Sequence, residues 1–198
     1  MNINKAVDTK YENSNLSAIA NAPVEALEGV GPSTAKVLKE VTGIDLVRDM
    51  QYFNLKLAKL NDEQIKKLAD AFSVKTKEEL LALPFVGWAK AVVALAPYER
   101  LNINAALDRN LEGKTFDVLV KEDVEGLEGI GAGKAKMLHE AGVKTIGDLG
   151  AVDVAKLSDA NAALLMKALG GATKEELAKN NFIAISASIL ALATAHGK

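Results

Sequence analysis

Apolar positions recur along the chain at spacings of three and four. They run Val24, Leu27, Val37, Leu38 and Val41, and then Ile65, Leu68, Ala69 and Phe72. That period predicts amphipathic helices. Thr76 with Glu79, and later Thr173 with Glu176, fit capping boxes that open two more helices. The stretches Val86–Ala96 and Ile183–Ala195 are apolar on nearly every side, as expected of the central helix of a domain. No run alternates strictly between apolar and polar within turn signals, so no sheet is expected.

A long internal repeat organises these elements. The stretch from Val24 to Glu40 recurs 100 residues later, from Val124 to Glu140, with 10 of 17 positions identical. The likeness continues at an offset of 97. Ala58-Lys-Leu-Asn-Asp62 answers Ala155-Lys-Leu-Ser-Asp159, Thr76–Leu80 answers Thr173–Leu177, and Phe85 answers Phe182. The expectation is an all-α chain of two duplicated five- to six-helix domains, at 23–97 and 124–198. Residues 1–22, polar and rich in Asn, are expected as a flexible arm with one helical turn near Leu16–Ala20. Residues 98–123 are expected as a linker, made partly helical by Leu101, Ile103, Ala106 and Leu107.

Composition narrows the function classes. The 198 residues carry 24 Lys and Arg against 26 Asp and Glu, with 49% apolar residues, no Cys and two His. A disulfide framework, a thiolate metal site, a cysteine nucleophile and a histidine-rich zinc site are thereby excluded. The opening residues lack the basic-then-apolar order of a secretory signal. The apolar run from Phe182 to Ala195 is too short to span a bilayer. A cytoplasmic protein with no membrane partner is the expectation.

Candidate chemistry lies at Leu27-Glu-Gly-Val-Gly-Pro-Ser-Thr-Ala35 and Leu127-Glu-Gly-Ile-Gly-Ala-Gly-Lys-Ala135. Gly29 and Gly129 can take the positive φ of a tight turn. Val30 and Ile130 would point back into a helix crossing. Gly31 and Gly131 leave amides open at the start of a helix, and Pro32 suits its first position, where no donor is needed. Ala35 and Ala135 allow close helix approach. Gly43 and Gly142 fall where that helix should stop.

These two segments resemble the helix-hairpin-helix motif. The first is similar to the hairpins of family X DNA polymerases and DNA-repair proteins, and the double unit resembles bacterial domains built from this hairpin plus three further helices. The resemblance implies that Gly29, Gly31, Ser33, Thr34 and Lys36 face one phosphate strand of a nucleic-acid duplex. Gly129, Gly131, Gly133, Lys134 and Lys136 would do so in the second copy. The physical basis is a helix amino terminus, whose unpaired N–H groups and positive dipole end attract phosphate without reading sequence.

The same turn also serves as a helix-packing joint, which leaves a second function open: assembly with a protein partner or with itself. Glu25, Glu28, Glu125 and Glu128 adjoin the hairpins and would repel phosphate. Basic and acidic residues number 12 and 12 over 1–97, 4 and 6 over 98–123, and 8 and 8 over 124–198. No region has the basic excess of a typical nucleic-acid binder. Local clusters remain, namely Lys36, Lys39 and Arg48, or Lys134, Lys136 and Lys144.

Gly129–Lys134 is not a phosphate loop, because Glu128 stands at the required first Gly and Ala135 replaces the Ser or Thr. His139 is expected at the surface rather than as a metal ligand. Trp88 is expected to fill the core with Phe85 and Tyr98. The carboxylates lie on predicted helix surfaces and at helix starts, so no enzyme activity, catalytic residue, metal or cofactor is expected.

Overall fold

The structure, a computed structural model, describes residues 6–99 and 106–196. The chain divides into two units, parted between Ala96 and Pro97. Every regular element among the described residues is a helix; they form no strand, only isolated pairs of bridged residues. The all-α expectation therefore holds.

In the first unit the helices are α1 (Leu16–Ala20), α2 (Pro32–Thr42), α3 (Phe53–Leu57), α4 (Asp62–Ala71), α5 (Lys77–Leu81) and, up to Ala96, α6 (Phe85–Glu99). Short 3-10 turns at Val24–Ala26 and Val47–Tyr52 join them. Helix α2 packs on α4, and its stripe of Ala35 and Leu38 is buried. Gly43, at φ 72°, ends α2 in the left-handed conformation, as its sequence position predicts. Helix α6 sends Phe85, Val86, Ala89, Val92 and Leu95 inward. Phe53, Phe72, Phe85 and Trp88 follow one another in contact, with ring centroids 5.6–6.2 Å apart. By length and hydropathy alone Lys77–Tyr98 could cross a membrane. It is instead two helices, interrupted at Ala82–Pro84, with the apolar side of the second in this core.

The second unit holds α7 (Phe116–Leu119), α8 (Ala132–Glu140), α9 (Ile146–Gly150), α10 (Asp159–Leu169), α11 (Lys174–Leu177) and α12 (Asn181–His196). Helix α8 packs on α10, while α12 lies against α9 and α7. The crossing of α9 and α12 is close because position 150 is glycine.

The helical turn expected at Leu16–Ala20 is there as α1, but residues 6–22 are not a flexible arm. Val7, Leu16, Ile19 and Ala20 are buried within the first unit. The polar side chains between them cap short turns: Asp8 accepts from the Lys10 amide and Asn15 from Ala18. Asp8 and Asn15 thus act as caps here rather than as markers of disorder. The expected linker differs in the same way. Phe116 and Leu119 are fully buried, and Leu107 forms an extended bridge with Leu127 rather than a helix. Leu101 and Ile103 lie outside the described residues.

Side-chain caps open α1, α4, α5, α9, α10 and α11. Asn61 with Gln64 forms a full capping box on α4, and Thr145 with Asp148 does so on α9. The boxes expected at Thr76 and Thr173 are half formed. Each threonine accepts from the glutamate amide three residues on, at 3.1 and 3.2 Å. Each glutamate, however, reaches one residue further back, to the amides of Lys75 and Ala172.

Candidate nucleic-acid interface

Each hairpin is a 3-10 turn, a sharp glycine corner and a longer helix. Gly29 and Gly129 make the corner with φ of 84° and 90°. Val30 and Ile130 follow, 3% and 2% exposed, with their amides on the carbonyls of Leu27 and Leu127 at 3.1 and 2.9 Å. The apolar residue between the two glycines is therefore the pin that the sequence predicts. Beneath each corner sits an aromatic ring. Phe85 Cζ is 3.7 Å from where a Cβ on Gly29 would stand, and Phe182 Cζ is 3.6 Å from that point on Gly129.

Gly31 and Gly131 are the residues before α2 and α8, both in extended conformation, and neither helix has a side-chain cap. The first amides turned back into the helices meet the Gly31 and Gly131 carbonyls at 2.9–3.0 Å. The amides before them, on Ser33 and Thr34 in the first unit and on Ala132 and Gly133 in the second, make no such backbone bond, as the first amides of a helix do. Nothing lies within 4 Å of a Cβ placed on Gly31, Gly131 or Gly133, so the approach is clear. α4 and α10, of similar length, have their ends closed by Asn61 and Ser158.

A clamp holds the other side of each hairpin. Asp8 N–H donates to the Ala26 carbonyl and Glu28 N–H to the Ala6 carbonyl, at 2.9 and 3.1 Å. Asp108 and Glu128 repeat this with Gly126 and Ala106, at the same distances. The sequence reading missed this clamp and the rings under the corners. A signal for the clamp exists, because the repeat at offset 100 runs back through Ala6/Ala106 and Asp8/Asp108 to Asn2-Ile3-Asn4 and Asn102-Ile103-Asn104.

The predicted site residues divide into three groups. Gly29, Gly31, Ser33 and Lys36 are exposed at or beside the first helix start, and so are Gly129, Gly131, Gly133 and Lys136 at the second. Thr34 is turned inward: it is 8% exposed and its hydroxyl donates to the Ala71 carbonyl at 3.0 Å. It closes the end of α4 and does not face outward. Lys134 is exposed, but its ammonium bends back to the Gly129 carbonyl at 2.9 Å and stands 5.7 Å over the Phe182 ring.

The surrounding charges are mixed. Glu28 and Glu128 are exposed next to the corners. Lys39 is paired with Asp45 at 2.8 Å, and Glu40 with Lys67 at 2.7 Å. The Lys67 ammonium keeps the Glu40 carboxyl below the usual carboxylate range. An open groove of about 260 Å³ beside α2 is lined by Pro23, Val24, Glu25, Pro32, Ala35, Lys36, Lys39 and Asp45. Its two lysines and two carboxylates give it no single sign. In the second unit, His139 bonds to Asp123 at 3.1 Å, and position 144 carries Lys where the first unit has Asp45. Among the described residues no group of His, Asp and Glu has metal-site geometry.

Comparison with known proteins gives one family match. A model described as a SAM-like helix-hairpin-helix tandem matches residues 121–162, which span the second hairpin, α8, α9 and the start of α10. It supports a helix-hairpin-helix domain in the second unit. No curated protein and no solved structure matches the chain.

Proposed function

We propose that this chain is a non-catalytic tandem helix-hairpin-helix protein that holds nucleic-acid duplex by its phosphate backbone, without sequence preference. Family members generally bind nucleic acids or mediate assembly. The observation that favours the first is the uncapped start of α2 and α8 at Gly31 and Gly131. Open amides at the positive end of a helix dipole suit a phosphate oxygen, and glycine lets the strand approach. Lys36 and Lys136, one turn further along, add charge where the backbone would run. The similarity of the first hairpin to those of family X polymerases and repair proteins points the same way. The parallel build of the units, corner over ring and clamp over turn, is in keeping with copies of one fold. Two such sites on one chain would raise each other's effective concentration.

Contact with four to six phosphates makes log affinity fall against log salt with a slope of roughly −4 to −5. Charge reversal at Lys36 and Lys136 together should remove most duplex binding while the helical circular dichroism stays unchanged. Binding that survives this double reversal contradicts the reading.

A second reading, assembly with protein, draws on the first unit's exposed apolar pair. Tyr52 and Leu55 are 50% and 67% exposed, one turn apart. It predicts a self-associated species in sedimentation that Leu55→Lys disperses and salt leaves intact.

A further inference from the structure

The two hairpin corners are supported by different chemistry. In the first unit Phe85, only 6% exposed, lies under Gly29 and is itself flanked by Phe72 and Trp88, each 5.6 Å away between ring centroids. At the matching places 97 residues on, the second unit has Leu169 and Ile185. Phe182 thus lacks both aromatic neighbours and is half-buried. What the second unit has instead is Lys134, standing where the first unit has the inward-turned Thr34. Its ammonium donates to the Gly129 carbonyl at 2.9 Å and lies over the Phe182 ring. One cation therefore ties the corner, the first turn of α8 and the first turn of α12.

We propose that Lys134 is a positioning residue of the second hairpin and not one of its phosphate contacts. Reaching outward to a phosphate would forfeit both a charge-assisted hydrogen bond and a cation–π contact. Held back, the ammonium fixes the Gly129 carbonyl and with it the direction of the Gly131–Gly133 amides. Lys136, exposed on the same helix, is left as the cation that counts toward salt dependence. The consequence for binding rests on the backbone-gripping reading; the consequence for the corner does not.

The test compares wild type with Lys134→Met and Lys136→Met, all in the full chain. Methionine keeps the aliphatic stem of an exposed lysine, so the fold should survive, and circular dichroism verifies that it has. The first readout is hydrogen exchange of the Ile130 amide, which donates to Leu127 at 2.9 Å and opens when the corner opens. Lys134→Met should speed it on the order of five- to tenfold, and Lys136→Met should leave it unchanged. The second readout is the salt slope for a labelled random duplex. Lys136→Met should flatten it by about one, and Lys134→Met should weaken binding with the slope unchanged. Unchanged Ile130 exchange in Lys134→Met, or a slope flattened by it, overturns the proposal. If wild type binds no duplex at any salt, the backbone-gripping reading fails, and the exchange result alone decides the role of Lys134.

Discussion

The backbone of Gly150 rests on that of Ser186 so closely that a Cβ on the glycine would fall 2.6 Å from the Ser186 carbonyl carbon. The obstacle is backbone and cannot swing aside. Helix α9 thus meets α12 through a bare glycine. Gly150→Ala should therefore push the two helices apart and cost about 1–3 kcal/mol in urea unfolding. Gly133→Ala, with open space around it, serves as the contrast. It should be neutral or stabilising by up to about 1 kcal/mol.

Thr34 tests the correction to the predicted site. Its hydroxyl is spent on Ala71. Thr34→Val, nearly the same shape, leaves that carbonyl without its donor and should cost about 1 kcal/mol of stability. The salt slope for duplex should stay as in wild type. A changed slope with unchanged stability would return Thr34 to the outward face.

Domain limits give a direct expectation. A chain of residues 23–97 lacks Ile19 and Leu16, which are 0% and 4% exposed in the first unit, and the clamp from Ala6 to Asp8. It should give no cooperative unfolding transition, whereas residues 2–96 should unfold cooperatively. Within the full chain, Ile19→Ala should cost about 2–4 kcal/mol.

Acid should act through the cap of α9. The Thr145 amide, at 2.9 Å, is the main group holding the Asp148 carboxyl below the usual carboxylate range. Desolvation opposes this, and the Thr145 side chain and the Lys144 amide and charge add to the lowering. A depressed folded value means the contribution is complete above the unfolded pKa of about 3.9 and disappears as pH falls through the folded one. Asp148→Asn should therefore be less stable than wild type at pH about 7, and the gap should close as pH falls below the usual carboxylate range. A gap independent of pH would deny the carboxylate its role in the cap.

How much of this was legible follows from what each residue's role depends on. Gly29, Val30, Gly31 and Pro32 carry their conformational reasons in their own chemistry, so the hairpins could be read directly, and Gly43 stops α2 for the same reason. Thr34 and Lys134 could not be read that way. Both occupy the third position of a helix, and only the distant partners Ala71 and Phe182 turn one inward and the other back. Residues 6–22 were misread because Asn and Asp mark both disorder and caps. Single apolar residues among them, such as Ile19, show their burial only once the turns are formed.

The central claim is that the uncapped starts of α2 and α8 hold phosphate, and it is tested most directly by fluorescence anisotropy. A labelled random duplex is titrated with the full chain at ~50 and ~200 mM salt. Four to six phosphate contacts predict binding at the lower salt that weakens by roughly two to three orders of magnitude at the higher. No binding at tens of micromolar protein in ~50 mM salt would contradict the account, for at that ionic strength even a non-specific backbone contact should register.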